Sequence, residues 1–71
     1  MYLENDIKGS KLKEIRKNKK MTRYELQKLS GVSTVQIRNI EKGISEPRAV
    51  TLAKLAKALE VDYDELYELF Y

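Results

Sequence analysis

Thr22, Gly31 and Ser33 divide one stretch of this chain, TRYELQKLSGVSTVQIRNIEKG from Thr22 to Gly43, into two helical patterns and a tight turn. Thr22 has the chemistry of an N-cap, and Glu25 three residues on completes a capping box. Leu26 and Leu29 follow at helical spacing, which predicts an inward edge. Gly31 can take the left-handed conformation that ends a helix, which residues with side chains adopt only at a cost. Ser33 then caps a second helix, whose apolar residues Ile37 and Ile40 are three apart.

Two helices joined by a turn of three or four residues make a helix-turn-helix. With Ile37 and Ile40 inward, Thr34, Val35, Arg38 and Asn39 lie largely on the opposite face, and Lys42 continues it at its end. Arg38 can pair with guanine and Asn39 with adenine through hydrogen bonds in the major groove of DNA. Thr34 can bond a base or a phosphate. Val35 gains nothing from water, and contact with a thymine methyl accounts for it. The plainer alternative puts Val35 at the edge of the core, among ordinary solvated polar residues. For a helix taken alone that alternative is favoured; the surrounding pattern reverses the balance.

Charge supports the same direction. The net charge is only +3, but residues 8–28 hold nine Lys or Arg against Glu14 and Glu25, for +7. Residues 60–71 hold five acids and no base, for −5. One end attracts an anion and the other repels it. A basic run alone often does no more than keep a protein soluble. Placed beside a helix-turn-helix, Lys17, Lys19 and Lys20 read better as a phosphate footprint.

The remaining patterns read as scaffold. A first helix is expected from near Ser10 to Asn18, burying Leu12 and Ile15, with a basic end that suits the negative pole of the helix. Met21 is placed to pin the next loop to the core. Pro47 discourages Glu46 from helical geometry. A fourth helix, about Ala49 to Leu59, offers Leu52, Leu55, Ala56 and Leu59 as an apolar stripe. Val61 packs the turn, and Asp62 with Glu65 predicts a second capping box for a fifth helix.

The last nine residues crowd Tyr63, Leu66, Tyr67, Leu69, Phe70 and Tyr71 together. Leu66 and one neighbour complete the core, which leaves more aromatic surface than one narrow face can hide. Exposed aromatic residues favour interfaces, because they bury a large area and keep a polar tip. A two-fold homodimer through residues 62–71 is expected, with Tyr63, Tyr67, Phe70 and Tyr71 at its centre and Tyr2 and Leu3 covering its edge. The alternative folds these rings back over a small core.

Composition excludes several classes. Seventy-one residues suffice for one domain with a thin stability margin. Without cysteine there is no disulfide framework and no thiolate metal site, and without histidine general base catalysis lacks its commonest residue. Neither an enzyme nor a cofactor is expected. No apolar run reaches the roughly 20 residues of a membrane span, and no signal segment is visible, so a cytoplasmic protein that stays off membranes is expected.

From about Lys11 to Leu66 the chain resembles the Cro/CI-type, or Xre-like, helix-turn-helix domain of phage and bacterial repressors. The motifs that carry the resemblance are KLKEIR from Lys11, T-x-x-E-L from Thr22, the Gly31-Val32 turn, and I-x-x-I-E-K-G from Ile37. Pro47 and TLAKLAKALEVDYDEL from Thr51 complete the order. The resemblance implies an all-α, lambda-repressor-like fold of five helices, with the third docked in the major groove. It implies that Thr34, Val35, Arg38, Asn39 and Lys42 read bases, and that Lys20, Thr22, Arg23, Ser33 and Arg48 hold phosphates. It also implies a buried, structural ion pair between Arg16 and Glu41. At Arg23 the family usually has Gln; Arg keeps a donor and adds charge. Gln27 departs from the family's Ala, so its long side chain either snorkels out or pushes two helices apart.

The function implied is a small sequence-specific regulator of transcription, a repressor more than an activator, bound to double-stranded DNA as a homodimer on an inverted repeat. A different class, a protein-interaction module like the antitoxins that resemble this family, would use the C-terminal aromatic surface on a protein partner. DNA binding would then be secondary.

Overall fold

The computed structural model describes the backbone of residues 4–71 and the side chains of residues 7–71. Among these, five α-helices follow one another with no strand: α1 Glu4–Asn18, α2 Arg23–Ser30, α3 Thr34–Glu41, α4 Ala49–Leu59 and α5 Tyr63–Phe70. Tyr2 and Leu3, expected at the edge of a dimer, lie outside the described residues.

Every helix contributes to one core. Leu12, Leu26, Ile37, Leu52, Leu55 and Leu59 are fully enclosed, with Ile40 and Leu66 almost so. The stripe expected on α4 is buried throughout. Ile15, Met21 and Val61 pack against this core while keeping part of their surface in water. Burying a Leu or Ile side chain contributes about 1.5–3 kcal/mol, so these residues are the main force holding the helices together.

Four expectations are corrected. The helix expected from Ser10 begins at Glu4 and runs straight through Gly9. Glycine costs about 1 kcal/mol in a helix relative to alanine, which is why the pattern predicts a start after it. Gly9 is buried because α1 crosses the end of α3 there. A β-carbon at this position would meet the carbonyl oxygen of Ile40 and stand 2.6 Å from that of Glu41.

The spacing also predicts Leu29 inside, yet it is 63% exposed. Three residues past Leu26 the helix has turned toward its flank, and Val32 from the turn is buried instead. Leu29 edges a surface hollow shared with Met21, Lys54, Lys57 and Ala58.

Phe70 belongs to the core rather than to an interface. It is 3% exposed, because it lies four residues after Leu66 and shares its inward face. Finally, the Asp62 carboxylate accepts the N–H of Asp64, so the capping box expected with Glu65 is replaced by a shorter cap.

Two long-range bonds hold the C-terminal turn. Lys8 Nζ donates to the carbonyl oxygen of Phe70 at 3.0 Å, and the Tyr71 hydroxyl donates to the carbonyl oxygen of Pro47. Tyr63 and Leu69 are partly buried, whereas Tyr67 and Tyr71 remain exposed. The rings of Tyr67 and Tyr71 stack with centroids 5.0 Å apart, and Tyr63 tilts against Tyr67 at 5.8 Å.

Candidate nucleic-acid interface

The local chemistry of α2, turn and α3 follows from the capping residues. Thr22 is extended, and its hydroxyl oxygen accepts the Glu25 N–H at 3.1 Å. In return the Thr22 N–H donates to Glu25 Oε1 at 3.1 Å. That backbone bond, then the Thr22 hydroxyl and the charge of Lys28, hold the Glu25 carboxyl below its usual range. Gly31 ends α2 at φ 79°, with its N–H on the carbonyl of Gln27. Only Gly31, Val32 and Ser33 separate the helices, and the Ser33 oxygen accepts the N–H of Gln36.

α3 is amphipathic in a way that exposes chemistry. Ile37 and Ile40 lock one side into the core at 0% and 1% exposure. On the other side Val35 is 55% exposed, with Arg38 and Lys42 in water and Thr34 and Asn39 half-buried. Gln36, also exposed, occupies a flank that sequence spacing did not single out. It borders a hollow of about 370 Å³ with Ile40, Pro47, Arg48 and Val50, and its exposure is the signal that marks it.

Glu41 closes α3 from beneath. Its carboxylate is buried and accepts Arg16 Nε at 2.7 Å and an Arg16 terminal nitrogen at 3.0 Å. Arg16 reaches further, donating to the carbonyl oxygen of Met21 at 2.8 Å. A third donor, which the sequence does not mark, comes from α2: Arg23 Nε bonds Glu41 Oε1 at 3.0 Å. Arg23 is therefore part of the ion cluster, with 28% of its side chain still reaching solvent.

The residues expected at phosphates are placed as follows. Lys20 is exposed at the loop before α2 and has a left-handed backbone, φ 58°. Thr22 and Ser33 cap α2 and α3; each hydroxyl oxygen is occupied by an N–H, which leaves its proton to donate elsewhere. Arg48 stands at the N-cap of α4 with no side-chain capping bond, exposed. Three helix N-termini thus carry free donors or cations, the arrangement that attracts an anion.

Gln27 narrows the alternatives left by the sequence. It does not snorkel away: half-buried, it turns toward α3, where its Oε1 accepts the N–H of Thr34 at 2.7 Å. No spacing rule points to this bond, because it depends on the angle at which α2 meets α3.

Among the described residues no group of acidic side chains is arranged to hold a metal, and no helix is long and apolar enough to cross a membrane. A helix-turn-helix family model matches residues 12–66. Two proteins of Bacillus subtilis are each 39% identical over 59 residues: the uncharacterized HTH-type transcriptional regulator RghRB and the HTH-type transcriptional repressor RghR. The match covers 82% of this chain but 42% and 44% of those proteins, so the chain spans less than half of their length. An uncharacterized HTH-type transcriptional regulator of Sinorhizobium fredii is 36% identical over 58 residues, covering 82% of this chain and 75% of that protein. Five helices in this order, the capped three-residue turn at their centre and these relatives agree: the chain belongs to the Cro/CI-type, Xre-like helix-turn-helix family of DNA-binding transcriptional regulators.

Proposed function

We propose that this chain binds double-stranded DNA at a specific sequence and represses transcription from the cytoplasm as a homodimer. The observation that carries the reading is the outer face of α3. Val35 stands 55% exposed among Arg38, Asn39 and Lys42, while the opposite face is fixed by Ile37, Ile40 and the Glu41 cluster. In the major groove Arg38 pairs with guanine, Asn39 with adenine, and Val35 meets a thymine methyl, with Thr34 and Lys42 at the two ends of the face. Lys20, Thr22, Ser33 and Arg48 hold phosphates and set the register. Arg23 adds to them only through the guanidinium hydrogens that Glu41 leaves over.

The dimer forms across α5 through Tyr63, Tyr67 and Tyr71, of which Tyr67 and Tyr71 are the more exposed. Two copies of α3 then face successive major grooves about 34 Å apart, and the operator is an inverted repeat. Occupying it blocks polymerase, in keeping with the repressor RghR among the relatives. Selection of bound duplexes from a random pool tests the whole reading. An enriched, symmetric site with that spacing is the expected result; no enrichment at low ionic strength overturns it.

The exposed tyrosine pair also favours a second reading, in which a different protein occupies the α5 surface and DNA binding is secondary. Stable co-purification with a second chain distinguishes it from the homodimer.

A further inference from the structure

Two side chains one turn apart on α2 hold the two ends of α3. Gln27 accepts the N–H of Thr34, the first residue of α3, and Arg23 donates to Glu41, the last. An eight-residue helix, about 12 Å long, is thereby tied at both ends to one neighbour. The bond at Thr34 has a defined polarity. A backbone N–H only donates, so the Gln27 amide presents its oxygen there. Ser33 caps Gln36, not Thr34, so Gln27 is what satisfies the first N–H of α3.

The fold has other means of making the motif. Capping at Thr22 and Ser33, the turn at Gly31 and the buried Leu26 and Ile37 define two helices without Gln27. What Gln27 adds is the position of one end. Freed there, α3 can pivot about its anchored Glu41 end, and Thr34 and Val35 move most. Reading base edges requires side chains held within about 0.5 Å and 10–20° of productive geometry.

We infer that Gln27 is a positioning residue that determines specificity: through Thr34 it sets the tilt at which α3 presents its outer face to the bases. This rests on the DNA-reading role proposed above. Nonspecific binding depends on the count of cations near phosphates, which Gln27 does not alter. Its loss therefore lowers specific affinity alone.

The test uses the full chain, the best duplex from the random-pool selection and a scrambled duplex of equal length, at one salt concentration. Gln27→Met keeps the length of the side chain and removes the acceptor. Gln27→Glu keeps an acceptor; its added charge weakens both duplexes by the same factor. Amide hydrogen exchange at Thr34 is measured alongside. In Gln27→Met, Thr34 exchange is expected to accelerate and the ratio of specific to nonspecific affinity to fall roughly two- to tenfold, the worth of one hydrogen bond. In Gln27→Glu both are expected to stay at the wild-type level. If Gln27→Met does not fold, Gln27→Ala is expected to show the same loss of ratio. Unchanged Thr34 exchange, or an unchanged ratio with exchange accelerated, overturns the inference. A wild-type protein that prefers neither duplex overturns the DNA reading itself, and the inference with it.

Discussion

Gly9 of α1 passes so close to Ile40 of α3 that its hydrogen stands where any β-carbon would meet the Ile40 carbonyl oxygen. The neighbours on that side are backbone, at Ile40 and Glu41, and cannot swing aside as a flexible side chain can. Helix propensity alone favours alanine here by about 0.5–1 kcal/mol. The clash is the larger effect, since overfilling a packed contact costs about 1–3 kcal/mol. Gly9→Ala is therefore expected to lower the melting temperature measured by circular dichroism. A rise would show that α1 can lift away from α3 freely.

Glu41 is the residue whose loss should be felt most. Its carboxylate accepts three bonds from Arg16 and Arg23 and is closed from water. Removing one partner from a buried ion pair costs about 3–5 kcal/mol, because the remaining charge is stranded. Glu41→Gln is expected to approach that range in urea denaturation, enough to unfold much of a protein this small. Arg23→Met should cost clearly less, since Arg16 keeps both of its bonds to Glu41. Equal losses from the two substitutions would contradict this division of the cluster.

What could be read from residues alone follows a physical line. Thr22, Gly31 and Ser33 act on backbone groups within four residues, so their caps and the turn they enclose were legible. The α4 stripe was legible because helical periodicity alone assigns it. Gly9, Leu29, Phe70 and Gln27 were not, and each depends on how separate helices meet. Gly9 reads as a break until α3 lies across it. Leu29 reads as core until Val32 takes the place, and Phe70 reads as surface until α5 is laid on the core. Gln27 reads as a misfit until Thr34 N–H is within reach. The outer face of α3 was legible because Ile37 and Ile40 define its inner one.

The capping box at α2 has a pH signature. Bonding to the Thr22 N–H, above all, depresses the folded-state value for Glu25. A depressed carboxyl contributes stability above its unfolded value, and that contribution fades as pH falls through the folded one. Glu25→Gln should therefore melt below the wild type at neutral pH. The gap should close as pH falls from the ordinary carboxylate range to below it. A gap independent of pH would mean that the charge of Glu25 has no part in the cap.

The stacked tyrosines give a test of self-association apart from DNA. Tyr67 and Tyr71 are exposed, whereas Phe70 between them is a core residue. Replacing Tyr67 and Tyr71 together by Ser is expected to shift sedimentation toward the monomer, at a cost of about 0.5–1.5 kcal/mol for the lost Tyr71–Pro47 hydrogen bond. Phe70→Ala should instead cost about 3–5 kcal/mol of folding free energy, whatever the oligomeric state. Unchanged sedimentation of the double variant at high micromolar concentration would remove α5 from the dimer.

Lys20 and Arg38 are expected to fail in different ways on DNA, and Lys20 offers an unusual control. Its left-handed backbone costs an L-residue about 1–2 kcal/mol, which glycine relieves. Glycine also loses more entropy on folding, about 0.5–1 kcal/mol, so Lys20→Gly should leave stability equal or slightly higher. Its DNA affinity should nonetheless fall for every sequence, with the salt dependence flattened by about one ion. Glu60 shares the left-handed backbone at the acidic end of the chain. Glu60→Gly should match the stability change without weakening DNA binding. Arg38→Ala should do the reverse of Lys20→Gly: a loss of about 1–3 kcal/mol confined to one base-pair position, with the salt slope little changed. If Lys20→Gly and Arg38→Ala weaken all duplexes alike, α3 contributes charge and not reading, and the assignment of Arg38 to a base is wrong.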